Sequence, residues 1–335
     1  MISYIIRRLS WMVVVILGVM TIAFFISRVI PANPVAAMLP PQAPPEAIEK
    51  AEKKWGLDKP IHMQYVAFIT KLFQGDLGTS IRTRRPVLDD LRRTLPATIE
   101  LTIVSLVFGV GIGLPLGIIS AVRNGKISDH LSRIFAIMGL SMPAFWTGIL
   151  LLLVFYYTLG LLPGPGQLPA YMTRPPRITG LITLDSALAG NWAAFWSGVR
   201  HLILPAFTLG WLSTAAITRI ARSSMLDVMN ENYIQTARMK GLRESTVLLK
   251  HGLKNALIPT ITVIGLRIAS LLEGAVLTET VFSWPGLGRY STNSFLAVDF
   301  PAVVGAAMVF AFLYSFSNLI VDLIYAYLDP RIRYS

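Results

Sequence analysis

Two charged residues, Arg267 and Glu273, sit inside an apolar run over residues 257–281. Charge within a membrane span is costly, so such residues mark a solute route or pair with another helix. Six positions at about 100° each put them roughly 120° apart and about 9 Å along a helix, so they are not an intrahelical pair. Each is expected to find a partner on a different helix. If Glu273 faces a translocation route, it favours a cationic or amino-terminated solute; a structural ion pair is the competing reading. Pro143 and Pro115 are expected to kink their helices and free carbonyls for packing or for a pathway. The pathway candidates are Ser141, Pro143, Arg267, Ser270 and Glu273.

Chemistry of other kinds finds no foothold. There are no cysteines, which excludes disulfides, thiol catalysis and Cys-ligated zinc. The four histidines are scattered, and no His, Asp or Glu group has metal-ligand spacing. No clustered nucleophile or acid–base set converges, so no catalytic residue is expected. The phosphate loop G-x-x-x-x-G-K-S/T is absent, so a nucleotide site would belong to another chain.

The elements that must position these charges follow from composition. Of 335 residues, 54% are hydrophobic and 14% are charged, against roughly 25% charged in soluble domains. The mean hydropathy is +0.60. Lipid is the solvent that such a chain suits. The net charge of +12 fits topology control better than nucleic-acid binding, because the basic residues lie between apolar spans.

Six apolar stretches approach the ~20 residues that cross a bilayer. They cover residues 9–30, 95–122, 134–159, 201–217, 257–281 and 302–327. Only closed hydrogen bonding survives in lipid, so the fold class is all-α integral membrane with about six transmembrane helices. The fourth stretch is short and holds Pro205. Residues 9–30 exceed a signal h-region of about 7–15 residues, and Pro34 argues against cleavage near Val35-Ala36-Ala37, so this segment is a retained anchor. Basic residues within 123–133, 219–255 and 329–335 place both termini in the cytoplasm. The first extracytoplasmic segment, 31–94, is long and balances ten Lys and Arg with seven acids. Within it, 45–54 reads as a short exposed helix and Gly75-Asp76-Leu77-Gly78 as a turn. The outer segment 160–200 is long enough for a small cap. Gly109, Gly113 and Gly117 recur every four residues, which lets another helix approach closely. No internal repeat of the kind found in ion-coupled carriers is visible.

The cytoplasmic loop 230–259 is the most informative stretch. Asn232 with Gln235 forms a capping-box pattern at the head of a short helix over 233–240. Arg238 and Lys240 suit its negative C-terminal end, and Gly241 sits where a left-handed residue stops a helix. A second, basic helix over 245–255 is expected to turn into the membrane at Pro259, a helix-opening position. A capped helix like this can dock on another protein as a lever, or lie on anionic lipid as an amphipathic helix.

Gln235-Thr236-Ala237-x-x-x-Gly241, then Leu257-Ile258-Pro259 entering a span, resembles the EAA loop of ABC importer permeases. It departs from the general pattern in having Gln-Thr for Glu-Ala and a longer stretch between Gly241 and Pro259. Both departures resemble the dipeptide/oligopeptide/nickel class, where Tyr-x-x-Thr-Ala-Arg-x-Lys-Gly is typical. Other stretches are similar to that class: Gly56-Leu57-Asp58-Lys59-Pro60, Gly75-Asp76-Leu77-Gly78-Thr79-Ser80, Leu95-Pro96-Ala97-Thr98-Ile99-Glu100-Leu101 and Gly139-Leu140-Ser141-Met142-Pro143. So are Glu279-Thr280-Val281-Phe282-Ser283-Trp284-Pro285-Gly286-Leu287-Gly288 and Leu328-Asp329-Pro330-Arg331-Ile332-Arg333-Tyr334. Glu100, Glu279 and Asp322 lie near helix ends, where solvation competes with function.

The resemblance implies the first of two permease types, with type I ABC importer permease architecture. Residues 1–335 would form a single permease domain: an anchor helix at 9–30, the extracytoplasmic segment 31–94 and a core bundle at 95–327. The loop 230–259 would be the coupling loop, with Tyr233, Gln235, Thr236, Ala237, Arg238, Lys240 and Gly241 engaging an ATPase. The implied partners are a homologous second permease, two cytoplasmic ATPase subunits that bind ATP and Mg, an extracytoplasmic solute-binding protein and the lipid bilayer, with no nucleic acid. This chain itself would carry no cofactor and no metal. The implied place is a prokaryotic cell membrane. The implied solutes are di- or oligopeptides, with nickel chelates, glutathione and oligosaccharides as alternatives. An ion-coupled carrier is the reading from another class.

Overall fold

The computed structural model describes residues 2–29, 44–55 and 58–328. Among them the regular structure is helical, apart from one isolated β-bridge between Thr79 and Pro86. In order, the helices are α1 (Ile2–Val29), α2 (Pro45–Trp55), α3 (Ile61–Phe73), α4 (Val87–Val122), α5 (Ile127–Ser141), α6 (Ala144–Leu151) and α7 (Ile182–Leu188). Then come α8 (Trp192–Met229), α9 (Asn232–Met239), α10 (Glu244–Thr246), α11 (Leu253–Val281), α12 (Leu287–Leu296) and α13 (Phe300–Leu328). Wider π-type turns continue α6 over Leu152–Thr158 and join α10 to α11 over Val247–Gly252. Five helices among the described residues are long and apolar enough to cross a membrane, or six if the bent pair α5–α6 is one span. Residues 35–37, where Pro34 argues against cleavage, and the tail motif beyond Leu328 lie outside the described residues.

The chain divides into two compact units. One comprises residues 1–95 and 287–315. In it, Met20 and Phe24 of α1 are buried. Phe24 meets Tyr65 and Phe68 of α3 edge-on or tilted at 5.3 Å, and Thr21 Oγ1 shares a hydrogen bond with the Tyr65 hydroxyl. Val87, Leu91, Leu287, Tyr290, Ala302 and Ala306 form its apolar core. The expected helix at 45–54 is α2, and Gly75 and Gly78 adopt the left-handed conformation of a turn. Asp299 accepts hydrogen bonds from the Ser80 hydroxyl and the Arg82 amide. Burial, with Asp90 and Asp299 nearby, pushes the Tyr290 hydroxyl pKa up.

The other unit comprises residues 96–286 and 316–335 and is built around α8. The apolar stretch 201–217 looked marginal for a span, yet α8 runs for 38 residues through Pro205. Its most apolar window is 78% buried inside the protein, so it faces other helices more than lipid and tolerates Thr208, Ser213, Thr214 and Thr218. Thr208 and Thr214 donate to carbonyls one turn back, and Thr218 donates to the Gly113 carbonyl of α4. The small-residue face of α4 packs on α8: a Cβ at Gly113 would lie 2.8 Å from the Thr214 carbonyl, and one at Gly117 2.7 Å from Ala221 Cβ. Close backbone approach is therefore the use of that spacing.

Two local expectations are corrected. The stretch 134–159 is not one kinked helix; α5 and the α6 segment meet at 110°. Pro143 forces Met142 into extended backbone (φ −95°, ψ 126°) and then caps α6. Pro259 does not open a helix but lies inside α11, and helical backbone already starts at Glu244. Pro115 lies inside α4.

Candidate functional site

The short helix α9 is held between the ends of α8 and α11. Asn232 is already helical, and the residue at the cap is Glu231, extended at φ −70° and ψ 147° with no side-chain cap. The capping-box expectation is therefore wrong. The C-terminal expectation holds: Gly241 has φ +73°. Its amide donates to the Arg238 carbonyl and the Leu242 amide to the Ala237 carbonyl, the paired bonds of a Schellman stop.

The face of α9 toward its own chain is apolar. Ile234 and Ala237 are buried with Val247 against Val228 and Met229. Two polar ties add to this. Arg238 makes a two-pronged pair with Glu244, its shorter bond 2.7 Å, across the Gly241 turn, and that hydrogen bonding holds the Arg238 guanidinium above its ordinary pKa. Asn255 Nδ2 donates to the Tyr233 hydroxyl at 2.7 Å. α9 is thereby tied to both α8 and α11. A Cβ on Gly252 would meet Met225 Cε and Met229 Sδ at 3.0 and 3.1 Å, so these helices are tight behind the lever.

Of the seven coupling residues read from sequence, Tyr233, Gln235, Thr236, Arg238, Lys240 and Gly241 are exposed, while Ala237 faces inward. Sequence reasoning missed Met239 and Leu242, which are 80% and 41% exposed beside the Gly241 turn. Large apolar side chains on a polar loop outside the membrane are the signal that could have found them.

The pathway candidates fall into two places. Ser141 and Pro143 flank the α5–α6 break and are exposed. Gly139 packs on Trp211 and Ala215, and Gly148 on Thr208 and Phe282, so both arms of the break are anchored. Arg267 and Ser270 lie a turn apart on α11, half-buried and exposed. The Glu273 side chain lies outside the described residues.

Buried carboxylates form the features that sequence reasoning missed. Asp129 accepts from Arg222 Nε at 2.7 Å, Arg222 Nη2 at 2.9 Å, the Ser120 hydroxyl at 2.6 Å and the Gly125 amide at 3.0 Å. This ties the end of α4 and the start of α5 to α8. Glu100 and Glu279, expected near solvent, are instead 4% and 0% exposed. Glu100 takes the Ile182 and Thr183 amides at the head of α7. Glu279 accepts from the Thr98 hydroxyl, and Trp284 Nε1 donates to the Ala97 carbonyl at 2.9 Å. Two of the stretches singled out in sequence, around 95–101 and 279–288, therefore meet each other. Asp185 accepts from the Thr179 amide and hydroxyl and from the Gly180 amide. Burial opposes its ionisation, but those donors outweigh it and hold its pKa below the usual carboxylate range.

Comparison with known proteins places this architecture. Residues 113–334 match the family described as binding-protein-dependent transport system inner membrane component, and residues 1–102 match its N-terminal counterpart. The chain is 47% identical over 329 residues to the probable D,D-dipeptide transport system permease protein DdpB of Escherichia coli strain K12, covering 98% of this chain and 97% of that protein. It is 42% identical over 336 residues to the dipeptide transport system permease protein DppB of Alkalihalophilus pseudofirmus, covering both completely. A chain of the MetNI methionine ABC transporter, solved in inward-facing conformations, shares the fold with a TM-score of 0.50 and 16% identity, covering 71% of this chain and 96% of that one. The multi-pass helical chain built around α8 belongs to the family of inner membrane components of binding-protein-dependent transport systems.

Proposed function

We propose that this permease forms half of the route by which an ATP-driven importer takes up di- or oligopeptides, in the core bundle over residues 95–327. Both named relatives are described as dipeptide permeases, and their similarity covers essentially the whole chain. ATP and Mg belong to two partner ATPase subunits. A second permease completes the route, and an extracytoplasmic binding protein delivers the solute. Both termini face the cytoplasm, and alternating access follows from ATP-driven movement of α9.

The observation that carries the coupling role is the shape of α9: one face buried against α8 and the π-type turn, the other presenting Tyr233, Gln235, Met239 and Leu242 outward. Met239 and Leu242 are the apolar contact and Gly241 the stop that aims it. Glu273, in this reading, favours the amino terminus of a peptide on the route. The α5–α6 break at Ser141 and Pro143 lies along it. Purification of the tagged chain from cells expressing its partners tests the docking. The ATPase subunits copurify with the native chain, and Met239→Glu with Leu242→Glu releases them while the second permease stays bound. Undiminished ATPase recovery in that double variant would remove α9 as the docking element.

A further inference from the structure

Two arginines on the packed helices α8 and α11 have no part in the lever or in the buried carboxylate clusters: Arg219, toward the cytoplasmic end of α8, and Arg267 within α11. These helices pass in opposite directions, because Gly274 meets Leu209 toward one end and Gly252 meets Met225 and Met229 toward the other. That register sets Arg219 within about 9 Å of the level of Arg267 at 1.5 Å per residue. α8 and α11 pack directly on each other along this stretch. Arg219 is exposed and Arg267 half-buried, with Ser270 exposed one turn further along α11. Among the described residues neither guanidinium makes an ion pair or a hydrogen bond. Positions six apart on a helix do not share a face, so the register does not match Glu273 with Arg267.

Two like charges on neighbouring helices repel each other, and the half-burial of Arg267 within its span adds a cost. An anion that lies between them relieves both costs. A carboxylate suits the pair because its two oxygens offer about four lone-pair sites to the planar guanidinium forks. We propose that Arg219 and Arg267 form a carboxylate-binding subsite on the solute route, and that it takes the C-terminal carboxylate of a transported peptide. This rests on the peptide-importer reading given above. Transport needs an occupant that arrives and leaves, and α8 and α11 are the two helices joined through α9. Arrival of an anion at this pair is therefore felt by the helices that the lever moves.

The complete transporter, with second permease, ATPases and binding protein, is reconstituted in proteoliposomes. Uptake of dialanine and of its C-terminal amide is measured with the binding protein saturated. Arg219→Gln and Arg267→Gln, made separately, are expected to lower maximal dialanine uptake at least about tenfold, the signature of a lost interaction on the transport step. Amide uptake stays within about twofold of the native complex, since the amide has no charge for the pair to hold. Arg267→Lys keeps a charge and recovers part of the dialanine rate. Unchanged dialanine uptake in both Gln variants would overturn the subsite. Equal loss for both probes would also overturn it, and weaker copurification of the second permease would then identify an acidic side chain of that subunit as the occupant. If one variant fails to assemble, the other decides on the same criteria. A native complex that imports neither probe refutes the peptide reading itself, a result separate from any effect of the variants.

Discussion

The α9 lever and the turn between α4 and α5 each carry an arginine–carboxylate pair 2.7 Å apart. At the lever, Arg238 and Glu244 are 42% and 55% exposed; at the inner turn, Arg222 and Asp129 are 23% and 1% exposed. Equal distance therefore does not mean equal consequence. An exposed pair contributes about 0–1 kcal/mol because water and salt screen it. Breaking a buried pair strands a charge and costs about 3–5 kcal/mol. The lever's position is accordingly set by backbone and apolar contacts, the Gly241 stop and the Ile234 seat, with its ion pair as a trim. The inner turn depends on its ion pair outright.

Breaking the buried pair is the largest perturbation. Asp129→Ala leaves Arg222 without its carboxylate and removes the acceptor for Ser120 and Gly125, a loss of about 3–5 kcal/mol. Thermal unfolding of the purified chain in detergent should show a large drop in midpoint. Next in size is the lever's seat: Ile234→Ala empties a fully buried site and costs about 2–4 kcal/mol locally. It should expose α9 to proteolysis while the membrane bundle keeps its melting point. If the bundle melts early too, the lever is not the separable part that its burial pattern implies.

Asp185 sharpens the comparison on the outer side. Its pKa is depressed in the folded chain, so its contribution is present above the unfolded value, about 3.9, and is lost as pH falls through the folded one. Acidification below pH 4 should increase cleavage of the segment 160–190 by an acid-active protease. Asp185→Asn should show that cleavage already at neutral pH. The smallest stability effect belongs to the exposed pair: Arg238→Ala should change stability by less than about 1 kcal/mol. Reversing it separates geometry from contact. Arg238→Glu sets two carboxylates across the Gly241 turn and lowers uptake. Adding Glu244→Arg restores uptake if the pair only sets the turn, and leaves it low if Arg238 itself touches the ATPase.

The spans and the lever were legible because their signals are local. A run of apolar residues, or a glycine after two basic ones, carries its meaning within a few positions. The buried acids were not, because their partners are distant: Glu279 meets Thr98 from 181 residues away, and Asp129 meets Arg222 from 93. Glu100 and Glu279 look like interfacial charges until α7 and the turn after α11 fold over them. The length of α8 was underestimated for a related reason, since hydropathy measures fitness for lipid and this helix is mostly clad in protein. Two local signals also misled. Asn232 has the right side chain for a cap but stands one residue inside the helix. Pro259 resembles a helix start, yet the backbone bond that it forgoes is one interruption in a helix already established at Glu244.

The central claim is that α9 carries work done by another subunit into α8 and α11. It is tested most directly by the ratio of solute imported to ATP hydrolysed in proteoliposomes that contain the full transporter with Gly241→Val. A β-branched residue at φ +73° is strained by about 1–2 kcal/mol and re-aims the helix end. The ratio should fall at least about tenfold, near a full decade per 1.4 kcal/mol of lost coupling, with the ATPases still bound and hydrolysing. A ratio equal to that of the native complex, in an assembled transporter, would contradict the account.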